Sequence, residues 1–202
     1  MDEGYYVATN LSTGLQVGYD HFAIRNAGDG LVIESQHTMF GPLNAVQSAN
    51  FTLDHDWTPR RLEVRVAAQD YHAVVEFADA VTLMSIHSPN GDQQLRFPIG
   101  RQRAYFFLNG AIYFPLHIVR RFHFDNPAPQ RFEVIPDGLC EVWRLPDVVE
   151  EQQTFRLLEM KVLVSGHEDM LRLVVNQGGD LVRYRTRNLN LLVKLEEGQP
   201  RC

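Results

Sequence analysis

Cysteine is scarce. Of 202 residues only Cys140 and Cys202 carry a thiol. There is no Cys-x-x-Cys and no Cys/His spacing suited to zinc, so neither a redox dithiol nor a structural zinc site is expected. Two reduced thiols are the expectation, Cys140 in a strand and Cys202 at the chain's end. A disulfide between them would tie a strand to a frayed terminus. The chain also lacks a charged segment followed by an apolar core at its start, so no leader is read. No apolar run approaches the roughly 20 residues that span a bilayer. The expected location is cytoplasmic. An excess of positive charge is missing too: the net charge is −6, which speaks against general nucleic-acid binding, since a phosphate polymer is held by a positive surface. Gly-x-Ser-x-Gly, a phosphate loop and Gly-x-Gly-x-x-Gly are all absent. Nothing names a reaction, and no cofactor is expected.

Long amphipathic helical patterns are also wanting. What is there instead is a succession of short alternating stretches joined by turns. In Arg61–Val66 the apolar Leu62, Val64 and Val66 share one face, and Arg61, Glu63 and Arg65 the other. That is an antiparallel strand with one wet face. Ser88-Pro-Asn-Gly-Asp92 carries the strongest hairpin signal, because Asn-Gly suits the positive φ angles of a type I′ turn. Similar punctuation at Ala27–Gly30, Pro136–Gly138, Gly166–Asp169 and Asn176–Asp180 gives about a dozen strands. Leu15–Asn26 and Thr154–Ser165 change apolar parity partway, which predicts a bulge or strong coiling. The only candidate linker is acidic, Pro146–Glu151. The prediction is one all-β domain over 1–202: a single curved antiparallel sheet forming an incomplete barrel.

One stretch breaks this rhythm. Arg103–Phe124 is the most apolar and aromatic run, interrupted by Asn109-Gly110 and Pro115. Ala104–Leu108 reads as a strand, Ala111–Val119 as a short helical or irregular segment, and Arg120–Phe124 as strand again. Such a segment in a curved sheet is expected to lie in the concavity as plug or lid. Arg101, Arg103, Arg120 and Arg121 bracket it. Arginine forks suit carboxylate, phosphate or sulfate, and aromatic walls with a few convergent polar groups describe a small-molecule pocket. The candidate ligand-binding residues are therefore Tyr105, Phe106, Phe107, Tyr113, Phe114 and Phe122 as walls, with Arg120 and Arg121 at the mouth. The plain alternative is that the aromatics are core and the arginines solvated. His123 and Asp125, two apart, would share a face of a strand and could begin a metal site or an acid–base pair, but no third ligand is evident and no metal is assigned. Glu133 and Glu141 lie in facing strands of a predicted hairpin and could form an acid pair, with Arg131 and Arg144 near enough to make ordinary ion pairs.

The long coiled sheet, the AGDG turn after the first long strand, the turn from Asp54 to Pro59, the interrupting apolar segment and the closing GGDLVRY hairpin resemble the half-barrel lipoprotein-carrier superfamily. The likeness is topological and spans most of the chain. It implies a curved sheet holding an apolar ligand in its concavity under short helical segments, and it carries over no functional residue. The expected function is non-catalytic binding of a hydrophobic or anionic amphiphilic small molecule. The alternatives are an interaction protein using sheet edges or an apolar patch, with a homodimer left open, and an enzyme using the same cavity.

Overall fold

Alternation decides which way each strand faces. Leu62 and Val64 are 0% and 1% exposed while Arg61 and Arg65 stay in water. Each such burial contributes roughly 1.5–3 kcal/mol relative to exposure. The same two-residue period recurs through the computed structural model, which describes residues 3–40, 46–106 and 113–196. Its strands are β1 (Glu3–Asn10), β2 (Gln16–Ala27), β3 (Gly30–Met39), β4 (Val46–Asp54), β5 (Pro59–Val66), β6 (Tyr71–Phe77), β7 (Thr82–His87) and β8 (Gln93–Phe97), then β9 (Ala104–Phe106), β10 (Gln130–Ile135), β11 (Gly138–Glu150), β12 (Gln153–Val164), β13 (His167–Val175), β14 (Leu181–Thr186) and β15 (Leu191–Glu196). Among the described residues one α-helix, α1 (Tyr113–Arg121), lies between β9 and β10, and a short 3-10 turn, Ala67–Gln69, joins β5 to β6.

All fifteen strands form one sheet, in the order β8-β7-β6-β5-β4-β3-β2-β1-β15-β14-β13-β12-β11-β10-β9. Each half is a meander, and the halves join where β1 pairs with β15, Tyr6 opposite Leu195 and Ala8 opposite Val193. Every pairing is antiparallel except that of β9 with β10. The sheet's edges, β8 and β9, do not pair with each other among the described residues, so the curled sheet is an incomplete barrel, as expected. The predicted plug is α1. Phe114, Leu116, Ile118 and Val119 are at most 2% exposed and belong to the same core as Phe51, Leu62, Val134 and Leu173. A helix apolar around most of its circumference must be buried. Pro115 sits in its first turn, where the missing N–H has no partner to lose. Arg120 and Arg121 end it, against the negative pole of the helix dipole.

Two local expectations need correction. Pro146–Glu150 is not a linker: β11 runs through it, and Pro146 and Asp147 together face Arg156 in a bulge. A bulge needs no ladder N–H there, so it tolerates proline. The strand read over Arg120–Phe124 is the end of α1 and the turn after it. The strand read from Ala104 is present as far as Phe106; Phe107 and Leu108 lie outside the described residues. The irregularity expected in β2 is present at Val17, the extra residue against β1, while Tyr19 faces outward onto Tyr5 and Phe40. Cys140 is a buried free thiol; Cys202 lies outside the described residues.

Candidate functional site

The plug is held to the β1–β8 wall by a strained turn. Between β4 and β5, Asp54 N–H donates to the Thr58 carbonyl (2.8 Å), Trp57 N–H to the Asp54 carbonyl (2.9 Å) and Thr58 N–H to Asp56 Oδ1 (3.0 Å). These bonds force Trp57 to φ 67°, a left-handed conformation that costs a bulky residue on the order of 1–3 kcal/mol. Both ends of Trp57 then serve the helix. Its carbonyl accepts from His117 Nε2 at 2.7 Å, and its ring lies 5.2 Å from the Arg120 guanidinium carbon. The His117 ring packs edge-on to Phe51 (5.0 Å) and against Tyr105 (4.9 Å). Burial, helped by the nearby Arg121 charge and opposed by the bond to Trp57, pushes the His117 pKa down to about 3. The imidazole is neutral at ordinary pH, and its carbonyl partner assigns the proton to Nε2.

The other wall takes the two arginines. Arg120 Nη2 donates to Asp180 Oδ1 at 2.5 Å, and Asn176 Nδ2 to Asp180 Oδ2 at 3.0 Å. Burial works to raise the Asp180 pKa, but the Asn176 bond and the Arg120 charge outweigh it and hold the carboxyl below the usual range. Arg121 donates to the Gln102 carbonyl at 2.8 Å and lies 5.0 Å over the Tyr105 ring. Two donors remain: Arg120 Nε and Arg121 Nη1 are buried and meet no acceptor among the described residues. A buried unpaired N–H is costly, about 1–3 kcal/mol.

A second buried polar group lines β1–β3. Tyr6, Asp20 and His37 stand side by side across the three strands. Tyr6 Oη donates to the Leu181 carbonyl, and Ser35 Oγ to Asp20 Oδ1 at 2.6 Å. His37 Nδ1 is 3.6 Å from Asp20 Oδ2, too far for a hydrogen bond, and neither ring nitrogen has a hydrogen-bond partner among the described residues. Serine, histidine and aspartate therefore meet here, but the hydroxyl is spent on the carboxylate and not on the imidazole, so the group does not activate a nucleophile. Burial pushes the Tyr6 and Tyr184 phenols and the Cys140 thiol up, keeping all three protonated.

Of the sequence-predicted walls, Tyr105, Phe114 and Phe122 are 1%, 1% and 5% exposed, members of one continuous core. Phe106 closes β9 and Tyr113 opens α1. Phe107 lies outside the described residues. Arg120 and Arg121 do meet the plug's end, whereas Arg101 and Arg103 are held elsewhere, Arg101 by Asp54 (2.9 Å) and Asp79 (2.6 Å), Arg103 by Glu133. His123 is exposed beyond α1 and in no strand, so the shared face with Asp125 is not formed. Glu141 is bound by Arg131 at 2.9 Å and Glu133 by Arg103, the ordinary ion pairing expected. His117, Trp57, Asn176 and Asp180 are site residues that the reading of the sequence did not find. Only His117 left a signal, at helical spacing from Arg120 and Arg121.

No protein-family model matches this chain, and no curated protein does. Among solved structures it is similar to a β-barrel-like protein of a domain of unknown function, DUF1849, from Brucella abortus, with a TM-score of 0.61 and 7% identity over 96% of this chain and 94% of that one. At that identity the likeness shows the fold, a curved barrel-like sheet. The comparisons bring no lipoprotein carrier. No helix among the described residues is long and apolar enough to cross a membrane.

Proposed function

We propose that this protein is a non-catalytic binder of a hydrophobic or amphiphilic small molecule with an anionic head, and that α1 is the plug the ligand displaces from the concavity. The observation that carries this reading is the pair of buried donors at the end of the plug, Arg120 Nε and Arg121 Nη1, that meet no acceptor among the described residues. A carboxylate, phosphate or sulfate would satisfy both. The apolar tail would take the place of helix side chains against Tyr105 and Phe122, with Phe106, Phe107, Tyr113 and Phe114 as the remaining proposed walls. Native mass spectrometry of the purified protein, and titration of stripped protein with a fluorescent long-chain fatty acid, test it. The expected result is saturable one-to-one binding, weakened about tenfold by Arg121→Gln. Absence of both a copurified amphiphile and saturable uptake would sink the reading. The second reading, partner binding through a sheet edge, draws on β8, whose Gln93–Arg96 side chains are exposed and whose outer backbone has no strand partner among the described residues. Light scattering of a charge-reversed Leu95→Glu variant tests it, with loss of a wild-type dimer as the supporting outcome.

A further inference from the structure

The outer faces of the strands carry a pattern of their own. On β14, Arg183 and Arg185 are two residues apart and so share a face. The register sets each against another cation: Arg172 on β13 stands directly opposite Arg185, and Lys194 on β15 directly opposite Arg183. Like charges directly opposite on neighbouring strands oppose pairing, and here two such pairs adjoin. Nearby acids offset part of this. Glu159 accepts from Arg172 at 3.2 Å, Glu150 from Arg183 at 2.5 and 2.6 Å, and Glu196 lies 4.0 Å from Lys194. Arg185 is exposed and has no ion-pair or hydrogen-bond partner among the described residues.

Arg172, Arg183 and Arg185 wall a groove of about 260 Å³ whose lining also includes Val148, Glu150, Leu157, Val174 and Leu192. Neighbouring strands lie about 4.8 Å apart, so the guanidinium forks of Arg172 and Arg185 can converge on one anion between them. A planar fork matches two oxygens of such an anion. We propose that the outer face of β13–β15 is a binding site for a tetrahedral oxyanion of the phosphate class, with Arg185 and Arg172 as its ligands and Arg183 and Lys194 as flanking charges. The site lies on the opposite face of the sheet from the concavity and does not depend on what the concavity holds. Its chemistry suits a soluble phosphate and a phospholipid head alike.

The test compares thermal unfolding in sodium phosphate and sodium chloride at matched ionic strength. Phosphate is expected to raise the wild-type midpoint above its value in chloride, because a ligand that binds only the folded state stabilises it. Arg185→Gln is expected to lose the site-specific part of that gain. General salting-out acts on both proteins, so the difference between them is the readout. In chloride the variant is expected to melt no lower than wild type, since its like-charge contact with Arg172 is gone. Arg25→Gln, on the other wall's outer face, is expected to keep the whole gain. Calorimetric titration with inorganic phosphate is expected to show affinity reduced about tenfold in Arg185→Gln. Cosedimentation with phosphatidylcholine vesicles that contain phosphatidic acid, lost in Arg185→Gln, would assign the site to a lipid head. Phosphate binding without vesicle recruitment would assign it to a soluble ligand. A phosphate gain that survives Arg185→Gln, or no gain at all with no vesicle binding, overturns the proposal.

Discussion

The two walls of the sheet bury similar inner faces and expose different outer ones. Residues 1–100 carry 5 Lys and Arg against 12 Asp and Glu, while residues 101–202 carry 14 against 13. On β5 and β6 the outer charges interlock: Glu63 accepts from Arg65 at 2.6 Å, from His72 at 3.0 Å and from Arg61 at 3.4 Å. On β13–β15 cation faces cation. The fold constrains the inner face, where Val64 and Leu173 do the same packing job on opposite walls. It leaves the outer face free, and a free surface that keeps unfavourable pairs is where a ligand should be sought. Between the walls lies α1, clamped to one by His117 and Trp57 and to the other by Arg120 and Asp180.

The plug offers the sharpest way to break that comparison. Phe114→Ala removes a side chain 1% exposed from the middle of the shared core and should cost roughly 3–5 kcal/mol in urea unfolding. The two tryptophans read the walls separately, Trp57 on the β1–β8 side and Trp143 on the other. Single Trp→Phe variants should show one coincident transition if the helix couples the walls, and two if each wall stands alone. Next comes His117→Ala, at roughly 2–4 kcal/mol for lost packing and an orphaned Trp57 carbonyl. His117 also makes stability depend on acid. Its folded pKa, about 3, lies below the ordinary 6.5. As pH falls through 6.5 the unfolded chain takes up a proton that folded His117 refuses, so stability drops by up to about 1.4 kcal/mol per unit until about pH 3. His117→Gln, which keeps an N–H for the carbonyl, should flatten that slope; an unchanged slope would assign the acid sensitivity to other groups.

The clamp on the other wall should prove weaker. Arg120 and Asp180 are 22% and 20% exposed, and partial solvation reduces what their bond is worth. Asp180→Asn keeps the shape and should cost roughly 1–2 kcal/mol. A cost above that of His117→Ala would reverse the ranking of the two clamps.

The sequence disclosed what is local. Asn90-Gly91 marks a real hairpin turn, although only Gly91, at φ 105°, and not Asn90 takes the positive φ that a type I′ turn needs at both, and the alternation of Leu62 and Val64 against Arg61 and Arg65 sorts inside from outside. Pro115 with its apolar neighbours marks a short buried helix. What stayed hidden is non-local or depends on register. Trp57 and Asp180 each meet the helix from 60 residues away, and no periodicity encodes such a contact. The pairing of β1 with β15 is longer still. The arginine cluster was half legible, since Arg183, Arg185 and Arg187 recur at the strand period. That Arg172 and Lys194 stand opposite them follows only from the register of three strands.

The smallest effects separate the two outer faces most cleanly. Glu63 sits among three cations at 24% exposure, and the bond from Arg65, with help from His72, holds its carboxyl below the usual range. Glu63→Gln should therefore cost at most about 1 kcal/mol, less in high salt, because exposed pairs are weak and screened. It should leave phosphate affinity untouched. Glu150→Gln removes the acid that binds Arg183, and that frees a cation beside Arg185. Its stability change should be minor, but its phosphate affinity should rise above wild type. Equal responses from the two variants would mean that the outer faces differ in composition alone. Opposite responses would mean that the like-charge registers of β13–β15 hold an anion site whose strength Glu150 restrains.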